Sequence, residues 1–417
     1  MSETHLDRTL EAAQAALDHA QYIAGEIGPR PVGSDAEQEA ARYVQGRLSA
    51  FGLPNATLHE FSAPGSEWLP FALAGATALL GVAFYLVLGG SLVGAYLGAL
   101  GLGFGLWEVY AKLAFGWSPL SGLIPNTQTQ NVVASIQPTE MIGRNAVIFA
   151  HLDSQRTPWF FRSHTSLRLF FGAAYVVLAV LVLTLLAFVF SWFSEFTLPA
   201  WAGLPALVLA TATVVVMVQA HFTPYSVGAN DNASAVGVAL ELARHFAANP
   251  LKNTRLWFVF TSAEETGCHG AAAFLGSQGE QLIQAYAVAL EGVGVHTPAY
   301  TYREGTLTTY RSNGDLLRIL DRLQKARPDL GLRRVSIRGG YTEAGVAIKR
   351  GYRSVALVGL DERGDLPYWH TMEDTPDKLR PEALAAAFEV TRALLEDLDD
   401  LPVSARLSAV KPLRERD

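Results

Sequence analysis

The distribution of charged residues is the feature that most constrains this chain. Three runs, 69–107, 169–193 and 196–220, contain no Asp, Glu, Lys or Arg over 39, 25 and 25 residues. A helix needs roughly 20 apolar residues to cross a bilayer, so the first run suits two spans that turn near Gly89-Gly90. A single short run is also compatible with a buried core helix, but 39 residues without a charge argue against that interpretation. The sequence therefore predicts four transmembrane helices in two hairpins.

Outside these runs the composition is that of a soluble protein. The whole chain is 17% charged, against roughly 25% for an ordinary soluble domain, and the apolar runs account for the difference. We therefore expect an integral membrane protein that carries a soluble domain and has the lipid bilayer as a partner. The net charge of -7 argues against nucleic acid as a partner. The single cysteine, Cys268, excludes an intramolecular disulfide. The oligomeric state stays open.

Basic residues near the apolar runs predict the orientation in the membrane. The two hairpin turns contain no Lys or Arg, whereas the opposite ends carry Lys112, Arg162 and Arg168. The positive-inside rule then places the soluble domain on the cytoplasmic side of the inner or cell membrane. The polar stretch Met1–Thr4 does not resemble a cleavable signal peptide, so we expect the four helices to be the membrane anchors.

The polar segments alternate between strand and helix patterns. Several short stretches are almost entirely apolar, as strands buried on both faces must be. Strands are predicted at 131–136, 145–150, 255–261, 285–290 and 353–359, and helices at 4–26, 35–51, 233–248, 314–325 and 381–398. This alternation predicts an α/β fold in which helices sandwich a sheet.

The two hairpins interrupt the soluble domain. The predicted division is 1–67, 112–167 and 222–401 for the soluble domain, 68–111 and 168–221 for the hairpins, and 402–417 for a charged tail. The segment 222–401 contains most of the candidate metal ligands.

Side chains that bind metals gather at the ends of the predicted elements. They are His151 and Asp153 after strand 145–150, Asp231 at the start of helix 233–248, Glu264 and Glu265 after strand 255–261, Glu291 after strand 285–290, and His370 in a loop. Each has an ordinary alternative, such as a helix cap for Asp231 or an acidic first helical turn for the Glu pair. Together they form a carboxylate-rich set with two imidazoles, which suits paired zinc ions that polarise a carbonyl and activate water.

The order of these motifs resembles that of the zinc exopeptidases of metallopeptidase family 28, whose branches include aminopeptidases and glutaminyl cyclases. The matching motifs are His-x-Asp at 151, Gly-Ala-x-Asp-Asn-Ala-Ser at 228, Glu-Glu at 264, an acidic residue after the next strand, and His-Thr-x-x-Asp-Thr at 370. The segment Gly28-Pro29-Arg30-Pro31 resembles the family's N-terminal signature. The resemblance implies a mixed sheet sandwiched by helices, into which the four transmembrane helices are inserted.

The resemblance also implies a ligand set. Asp231 would bridge two zinc ions, His151 and Glu291 would complete one site, and Glu265 and His370 would complete the other. Glu291 is a departure, because the family more often has Asp at this position. If the first metal were lost, the remaining three ligands would still form a single-zinc site like that of the cyclase branch.

Further roles follow from the same resemblance. Glu264 would be the general base, taking a proton from the metal-activated water and passing it to the leaving amine. Asp153 would hold the His151 ring, and Asp374 would contact the ligand residues without binding the metal itself. Separately from the resemblance, Tyr225 and Trp369 flank ligand motifs and are predicted to line the substrate pocket, and the loop 341–344 is predicted to border the site.

The predicted function is that of a membrane-bound zinc aminopeptidase that hydrolyses N-terminal residues from peptides. One alternative is a single-zinc acyl transferase like glutaminyl cyclase, or an amidohydrolase. Another is a catalytically silent scaffold or binding module, although such a module has no need for the general base Glu264.

The second hairpin lies between two predicted ligands. His151 and Asp231 are 80 positions apart, and 11 residues separate Ala220 from Asp231. Those 11 residues cannot reach further than about 40 Å, so we expect the site to lie near the bilayer surface. This predicts membrane-proximal or hydrophobic peptide substrates, with a plain membrane anchor as the alternative.

Overall fold

The computed structural model describes residues 3–194, 198–279, 281–282 and 285–402, and eleven α-helices and nine strands alternate along this part of the chain. The helices are α1 (Glu3–Gln21), α2 (Asp35–Ala50), α3 (Trp68–Val87), α4 (Leu92–Leu113), α5 (His164–Ser194), α6 (Leu204–His221), α7 (Ala235–Ala248), α8 (His269–Ser277), α9 (Gly314–Ala326), α10 (Glu343–Lys349) and α11 (Pro381–Asp399). The strands are β1 (Thr57–Pro64), β2 (Asn126–Ile136), β3 (Arg144–His151), β4 (Thr254–Thr261), β5 (Tyr286–Glu291), β6 (Ala299–Glu304), β7 (Tyr310–Arg311), β8 (Arg333–Ser336) and β9 (Arg353–Val358). The predicted charged tail lies outside the described residues, apart from Pro402.

The strands form one mixed sheet in the order β1-β2-β4-β3-β5-β9-β6-β7, with β8 paired to β6. The central strands β4, β3, β5 and β9 are mutually parallel, and antiparallel pairs flank them. The prediction of a mixed sheet packed against helices is confirmed. His151 pairs with Thr261 and Glu291 pairs with Val358, so the carboxyl ends of the parallel strands meet at one edge of the sheet.

Burial on both faces explains why the central strands are almost entirely apolar. In β3 the side chains of Ala146, Ile148 and Ala150 belong to the core under α1, α7 and α11, whereas Val147 and Phe149 belong to the core under α8 and α10. Alternate residues of one strand therefore fill two separate cores, because successive side chains point to opposite faces.

The predicted strands and soluble helices are all present, with ends that differ by a few residues. The strands β1, β6, β7 and β8 and the helices α8 and α10 were not predicted. The strands β1, β7 and β8 lie at or near the sheet margins and contain exposed polar residues, whereas β6 is not exposed but contains Thr, Arg and Glu. All four therefore lack the apolar signal of the central strands.

Four helices are long and apolar enough to cross a membrane, by length and composition alone. We call α3 with α4 hairpin one, and α5 with α6 hairpin two. The predicted helices are confirmed as helices. The second continues to Leu113 rather than ending at Trp107, and the third begins at His164 rather than Leu169.

Glycine residues set the distance between the two helices of hairpin one. A Cβ atom on Gly101 would lie 2.7 Å from the Cα of Gly81 and 2.7 Å from the carbonyl oxygen of Thr77. One on Gly105 would lie 2.5 Å from the carbonyl oxygen of Ala74. The backbones therefore approach as closely as small-residue helix pairs in membranes do.

Hairpin two leaves and re-enters the α/β domain through a narrow neck. The amide of Thr157 donates to the carbonyl of Pro224 over 2.9 Å, and Arg156 and Tyr225 form an isolated β-bridge. The two ends of the insertion therefore lie side by side.

Aromatic residues join the ends of the helices nearest the domain. We define the base cluster as Trp68, Phe160, Phe161, Phe170 and Met217. The rings of Phe160 and Phe170 stack with centroids 4.0 Å apart, and Trp68 meets Phe160 edge-on at 5.6 Å. The base cluster packs α3, α5 and α6 together where they meet the domain.

Candidate metal centre

All five predicted ligand side chains converge at the carboxyl edge of the parallel strands, where open α/β sheets place their sites. They are His151 at the end of β3, Glu265 after β4, Glu291 at the end of β5, Asp231 before α7, and His370 in the loop after β9. Four of the five are buried and Glu291 is nearly so.

The five residues form two triplets that share Asp231. In the first triplet, Nε2 of His151 lies 3.1 Å from Oδ1 of Asp231 and 3.4 Å from Oε1 of Glu291. In the second, Nε2 of His370 lies 3.4 Å from Oδ2 of Asp231 and 3.1 Å from Oε2 of Glu265. Asp231 therefore presents one carboxylate oxygen to each triplet, as the bridging role requires.

These separations suit zinc. Tetrahedral zinc with bonds of roughly 2.0 to 2.1 Å holds its ligand atoms about 3.3 Å apart. The buried oxygens Asp231 Oδ1, Glu265 Oε1 and Glu291 Oε2 have no hydrogen-bond partner among the described residues. Buried polar atoms usually have partners, so unpartnered oxygens around two imidazoles fit a cation site.

Burial and the close contacts between carboxylates and imidazoles also shift the pKa values of the ligand side chains. Burial opposes ionisation of Asp231, but its close contacts with the imidazoles of His151 and His370 hold its pKa well below its usual range. Burial also opposes protonation of the imidazoles, yet the carboxylates outweigh it, raising the pKa of His151 strongly and that of His370 to about 10. Burial raises the pKa of Glu265 to about 7 and that of Glu291 well above its usual range. Cation binding at such a site releases the retained protons.

Glu264 lies beside the first triplet. Its Oε2 is 4.0 Å from Nε2 of His151, and its Oε1 accepts a hydrogen bond from the Cys268 thiol over 3.1 Å. Burial, followed by repulsion from neighbouring carboxylates, raises the pKa of Glu264 well above its usual range. A carboxyl with a raised pKa next to a metal site is suited to accept and return a proton near neutral pH.

Asp153 contacts the His151 ring in a different way from the one predicted. Nδ1 of His151 lies 3.0 Å from the carbonyl oxygen of Asp153, and the nearest carboxylate oxygen is at 3.6 Å. Because a carbonyl only accepts, Nδ1 carries the hydrogen and Nε2 is left for a metal. The carboxylate of Asp153 instead accepts from the amides of Glu264 and Glu265, over 3.2 and 3.0 Å.

Asp374 supports the bridging ligand through the backbone. Its carboxylate accepts from the amide of Asn230 over 2.7 Å and from the amide of Asp231 over 3.1 Å. Burial raises the pKa of Asp374 to about 7. The peptide bond that follows Asp231 is cis. The two hydrogen bonds that Asp374 accepts hold the loop that carries Asp231.

The two predicted pocket residues have different neighbours. The Tyr225 ring packs against the guanidinium of Arg156 at 4.2 Å, in the neck of hairpin two. The Trp369 ring lies 4.6 Å from the His370 ring. Phe161 of the base cluster contacts both, at 4.9 Å from Trp369 and 4.6 Å from His370. Sequence reasoning missed Phe161, although it belongs to an aromatic run just before a predicted span.

Arg30 also has a role that the sequence did not reveal. Its fully buried guanidinium donates to the carbonyls of Leu152, Val227 and Gly228 over 2.6, 2.7 and 3.0 Å. Burial lowers the pKa of Arg30 to about 10. The side chain therefore ties the loop after β3 to the loop before Asp231. Its place in the Gly-Pro-Arg-Pro signature was the available signal.

Glu343 is a further buried acid at the centre. Its Oε1 accepts from the Thr261 hydroxyl over 2.8 Å, and its Oε2 has no partner among the described residues. Carboxylate oxygens of Glu343, Glu264 and Glu291 lie within 4.8 Å of one another. Burial raises the pKa of Glu343. The loop 341–344 was predicted to border the site, but no role was assigned to this residue.

Comparison with known proteins supports the family resemblance. The sequence profile of Peptidase family M28 matches residues 207–395, a segment that contains Asp231, Glu264, Glu265, Glu291 and His370. His151 lies outside the matched segment. No curated protein sequence matches the chain.

Solved structures show the same fold. A leucine aminopeptidase precursor from Bacteroides thetaiotaomicron is similar with a TM-score of 0.53 and 15% identity, over 92% of this chain and 97% of that one. A glutaminyl cyclase from the same organism, bound to N-acetylhistamine, has a TM-score of 0.52, 15% identity and the same coverage. The LapA aminopeptidase from Legionella pneumophila has a TM-score of 0.52 and 13% identity, over 96% of this chain and 75% of that one. At these identities the likeness concerns the fold.

Proposed function

We propose that this protein is a membrane-bound zinc aminopeptidase that hydrolyses N-terminal residues from peptides. The observation that carries the proposal is the pair of ligand triplets that share Asp231, with Glu264 beside them. The match to Peptidase family M28 supports a zinc peptidase of this kind.

The residues of the chain divide the chemistry between them. Zinc held by the two triplets would supply a Lewis acid that polarises the scissile carbonyl and lowers the pKa of water. Glu264 accepts a proton from the attacking water and delivers it to the leaving amine. Its raised pKa suits both steps, since a strongly acidic carboxyl would not hold the proton for delivery. Asp153 fixes the amides of Glu264 and Glu265, so base and ligand keep their relative positions.

Two zinc ions are proposed because both triplets have nitrogen-to-oxygen separations of 3.1 to 3.4 Å. One observation favours a second candidate. The first triplet includes Glu291 at a position where the resembling family more often has Asp, and the 3.4 Å between its Oε1 and Nε2 of His151 exceeds the 3.1 Å between Asp231 and the same nitrogen. Zinc at the second triplet alone would support cyclase-like acyl transfer, with the acids Glu264, Glu291 and Glu343 handling protons.

The four apolar helices support a location in the membrane. The basic residues Lys112, Arg162 and Arg168 at the ends opposite the hairpin turns support an α/β domain on the cytoplasmic side. Phe161 of the base cluster lies in the turn before α5 and contacts His370 and Trp369, so the segment that leads into hairpin two reaches a proposed ligand. This contact supports substrates that are apolar peptides at the membrane surface. A tag on the C-terminal Asp417 should be inaccessible from outside intact cells, and labelling from outside would contradict this orientation.

The decisive experiment combines metal analysis of the purified protein with a peptide panel that includes N-terminal Leu, Phe, Asp and Gln. We expect two zinc ions and release of N-terminal amino acids. Glu264→Gln should lower kcat by about 100-fold or more while the zinc content stays unchanged. Glu373→Gln, an exposed glutamate beside the same centre, is the control and should retain activity.

Each alternative gives a different result in the same experiment. One zinc ion, with cyclisation of N-terminal Gln and no amino-acid release, would favour the acyl transferase. Protein without zinc, or activity indifferent to Glu264→Gln, would exclude both catalytic proposals and favour a scaffold.

A further inference from the structure

The loop that carries the general base has an unusual backbone. We define the base loop as residues 262–268, between β4 and α8. Two of its residues with side chains, Ala263 and Cys268, have φ angles of 54° and 54°, and Gly267 has a φ angle of 127°. Residues other than glycine rarely adopt positive φ, so neighbouring groups must hold this conformation.

Polar contacts from the α/β domain hold the first half of the base loop. The Asp153 carboxylate binds the amides of Glu264 and Glu265, and the side-chain amide of Gln155 donates to the Glu265 carbonyl over 2.8 Å. Gln155 also donates to the Glu265 carboxylate over 3.2 Å. The ligand Glu265 is therefore held by its own set of contacts.

The second half of the base loop is held from hairpin one. In the last turn of α4, the ammonium of Lys112 donates to the carbonyl of Thr266 over 3.0 Å. The same ammonium lies 2.7 Å from Oε2 of Glu67, the residue before α3. One buried cation thus joins both ends of hairpin one to the base loop.

Burial restricts the Lys112 ammonium to the acceptors that it now contacts. Lys112 is 9% exposed, and the Glu67 side chain is 15% exposed. A buried ammonium needs acceptors, and hydrogen bonds to a charged donor are stronger than those between neutral groups. Lys112 therefore cannot release Thr266 without leaving part of its charge unsatisfied.

Thr266 and Gly267 connect the ligand Glu265 to Cys268. Cys268 in turn donates its thiol hydrogen to Glu264. Movement of the Thr266 carbonyl would displace Cys268 and loosen the Glu264 carboxylate, while Gln155 still held Glu265.

We propose that Lys112 is a positioning residue for the general base, and that it fixes the Glu264 side chain through the Thr266 carbonyl while Glu67 holds its ammonium. This inference rests on the proposed function, because it assigns a purpose to the position of Glu264. Proton transfer is sensitive to small displacements of the base, so the effect is expected on kcat rather than on zinc binding or KM.

The test uses the double variant Lys112→Met with Glu67→Gln, which removes the ion pair without leaving a lone buried charge. We expect kcat to fall roughly tenfold, with KM within about twofold and zinc content unchanged. Lys112→Arg keeps a cation that can bond to the same carbonyl and should stay within about threefold of the wild type.

Lys349→Met is the matched control. The Lys349 ammonium donates to the carbonyls of Ala114 and Phe115, so it binds the exit of the same hairpin but not the base loop. Its kcat should remain within about twofold of the wild type. An equal loss of kcat in this control would mean that any loosening of hairpin one has the same effect, and would overturn the proposal.

A readout without catalysis separates this inference from the proposed function. In the zinc-free protein, hydrogen exchange at the amides of residues 264–268 should accelerate roughly tenfold in the double variant and stay unchanged in the control. Unchanged exchange and kcat in a folded double variant would overturn the role of Lys112. If the double variant fails to fold, a roughly tenfold loss of kcat in a folded Lys112→Arg would do so. Activity indifferent to Glu264→Gln would instead reject the proposed function, and the exchange result would still decide whether Lys112 holds the loop.

Discussion

The two hairpins have similar compositions but differ in how much of their surface is buried. In their most apolar stretches, 44% of α3 and 39% of α4 is buried inside the protein, against 11% of α5 and 22% of the span Ala200–His221 that contains α6. Hairpin one packs through glycines and is bound to the base loop by Lys112. Hairpin two exposes large apolar side chains along α5, among them Leu183 and Phe190. Apolar composition therefore identifies both hairpins as helical. Only the packing shows that hairpin one is closely attached to the rest of the protein and that α5 of hairpin two exposes its apolar side chains.

The close packing that distinguishes hairpin one from hairpin two should be disrupted by filling its glycine contact. Gly101→Leu places a side chain where even a Cβ atom would lie 2.7 Å from the Cα of Gly81. We expect a loss of about 3 kcal/mol in the free energy of unfolding, as overpacked cores show. The measurement is the thermal midpoint in one detergent.

The control for this variant is Gly172→Leu in α5, where a Cβ atom meets nothing within 4 Å. Its thermal midpoint should match that of the wild type. Equal losses in both variants would mean that the two hairpins are packed alike.

The pH dependence of the α/β domain can be separated from the behaviour of the hairpins through Glu37 of α2. Burial raises the pKa of Glu37 to about 8, and its carboxylate accepts from Gly33, Thr129 and Ser262. A carboxyl with a raised folded pKa stabilises the fold fully below its unfolded pKa of 4.5 and loses this contribution as pH rises to about 8.

Over this window we expect the free energy of unfolding of the wild type, compared with Glu37→Gln, to fall by about 1.4 kcal/mol per pH unit. Denaturant titrations of the zinc-free protein between pH 4.5 and pH 8 provide the measurement. Parallel curves for the two proteins would show that Glu37 does not retain its proton on folding.

A smaller effect is expected where hairpin two meets the site. Phe161→Ala removes the ring that contacts Trp369 and His370. We expect kcat/KM to fall about fivefold, and more for peptides with bulky apolar N-terminal residues, because part of an apolar wall is lost. Trp159→Ala, at an exposed ring in the same turn, should change little. Equal losses for Asp and Leu peptides would contradict a role in apolar recognition.

The smallest effect is expected at the ion pair that begins hairpin two. Nε2 of His164 lies 2.6 Å from Oδ2 of Asp365, and both side chains are about one-third exposed. Ion pairs that stay in contact with solvent contribute about 0 to 1 kcal/mol, so Asp365→Asn should shift the free energy of unfolding by less than about 1 kcal/mol. A larger shift in a thermal scan would mean that this pair holds hairpin two in place.

Prediction from sequence succeeded where a residue pattern has one structural interpretation. Apolar runs longer than a core helix requires predicted the four helices, and continuous apolar stretches predicted the central parallel strands. The ligand residues follow those strands, and parallel strands bring their carboxyl ends to one edge. The family resemblance implied that His151 and Glu291 share a metal site although 140 positions separate them, and the parallel pairing of β3 with β5 brings them together.

Contacts that depend on docking of one unit onto another could not be predicted. Phe161 reaches His370, and Lys112 reaches Thr266, because of how the hairpins sit on the domain. No local pattern encodes either contact. Glu343 was not predicted as a site residue for a related reason, because it starts a short helix whose own sequence signal is weak.

The neck of hairpin two changes how the separation between two proposed ligands should be counted. A flexible insertion costs chain entropy that grows with its length, by about 0.6 kcal/mol for each doubling. Here the hydrogen bond from Thr157 to Pro224 closes the insertion at its base, so a folded hairpin brings its two ends together. Although 80 positions separate His151 from Asp231, the entropy cost of bringing them together is therefore close to that of a short turn.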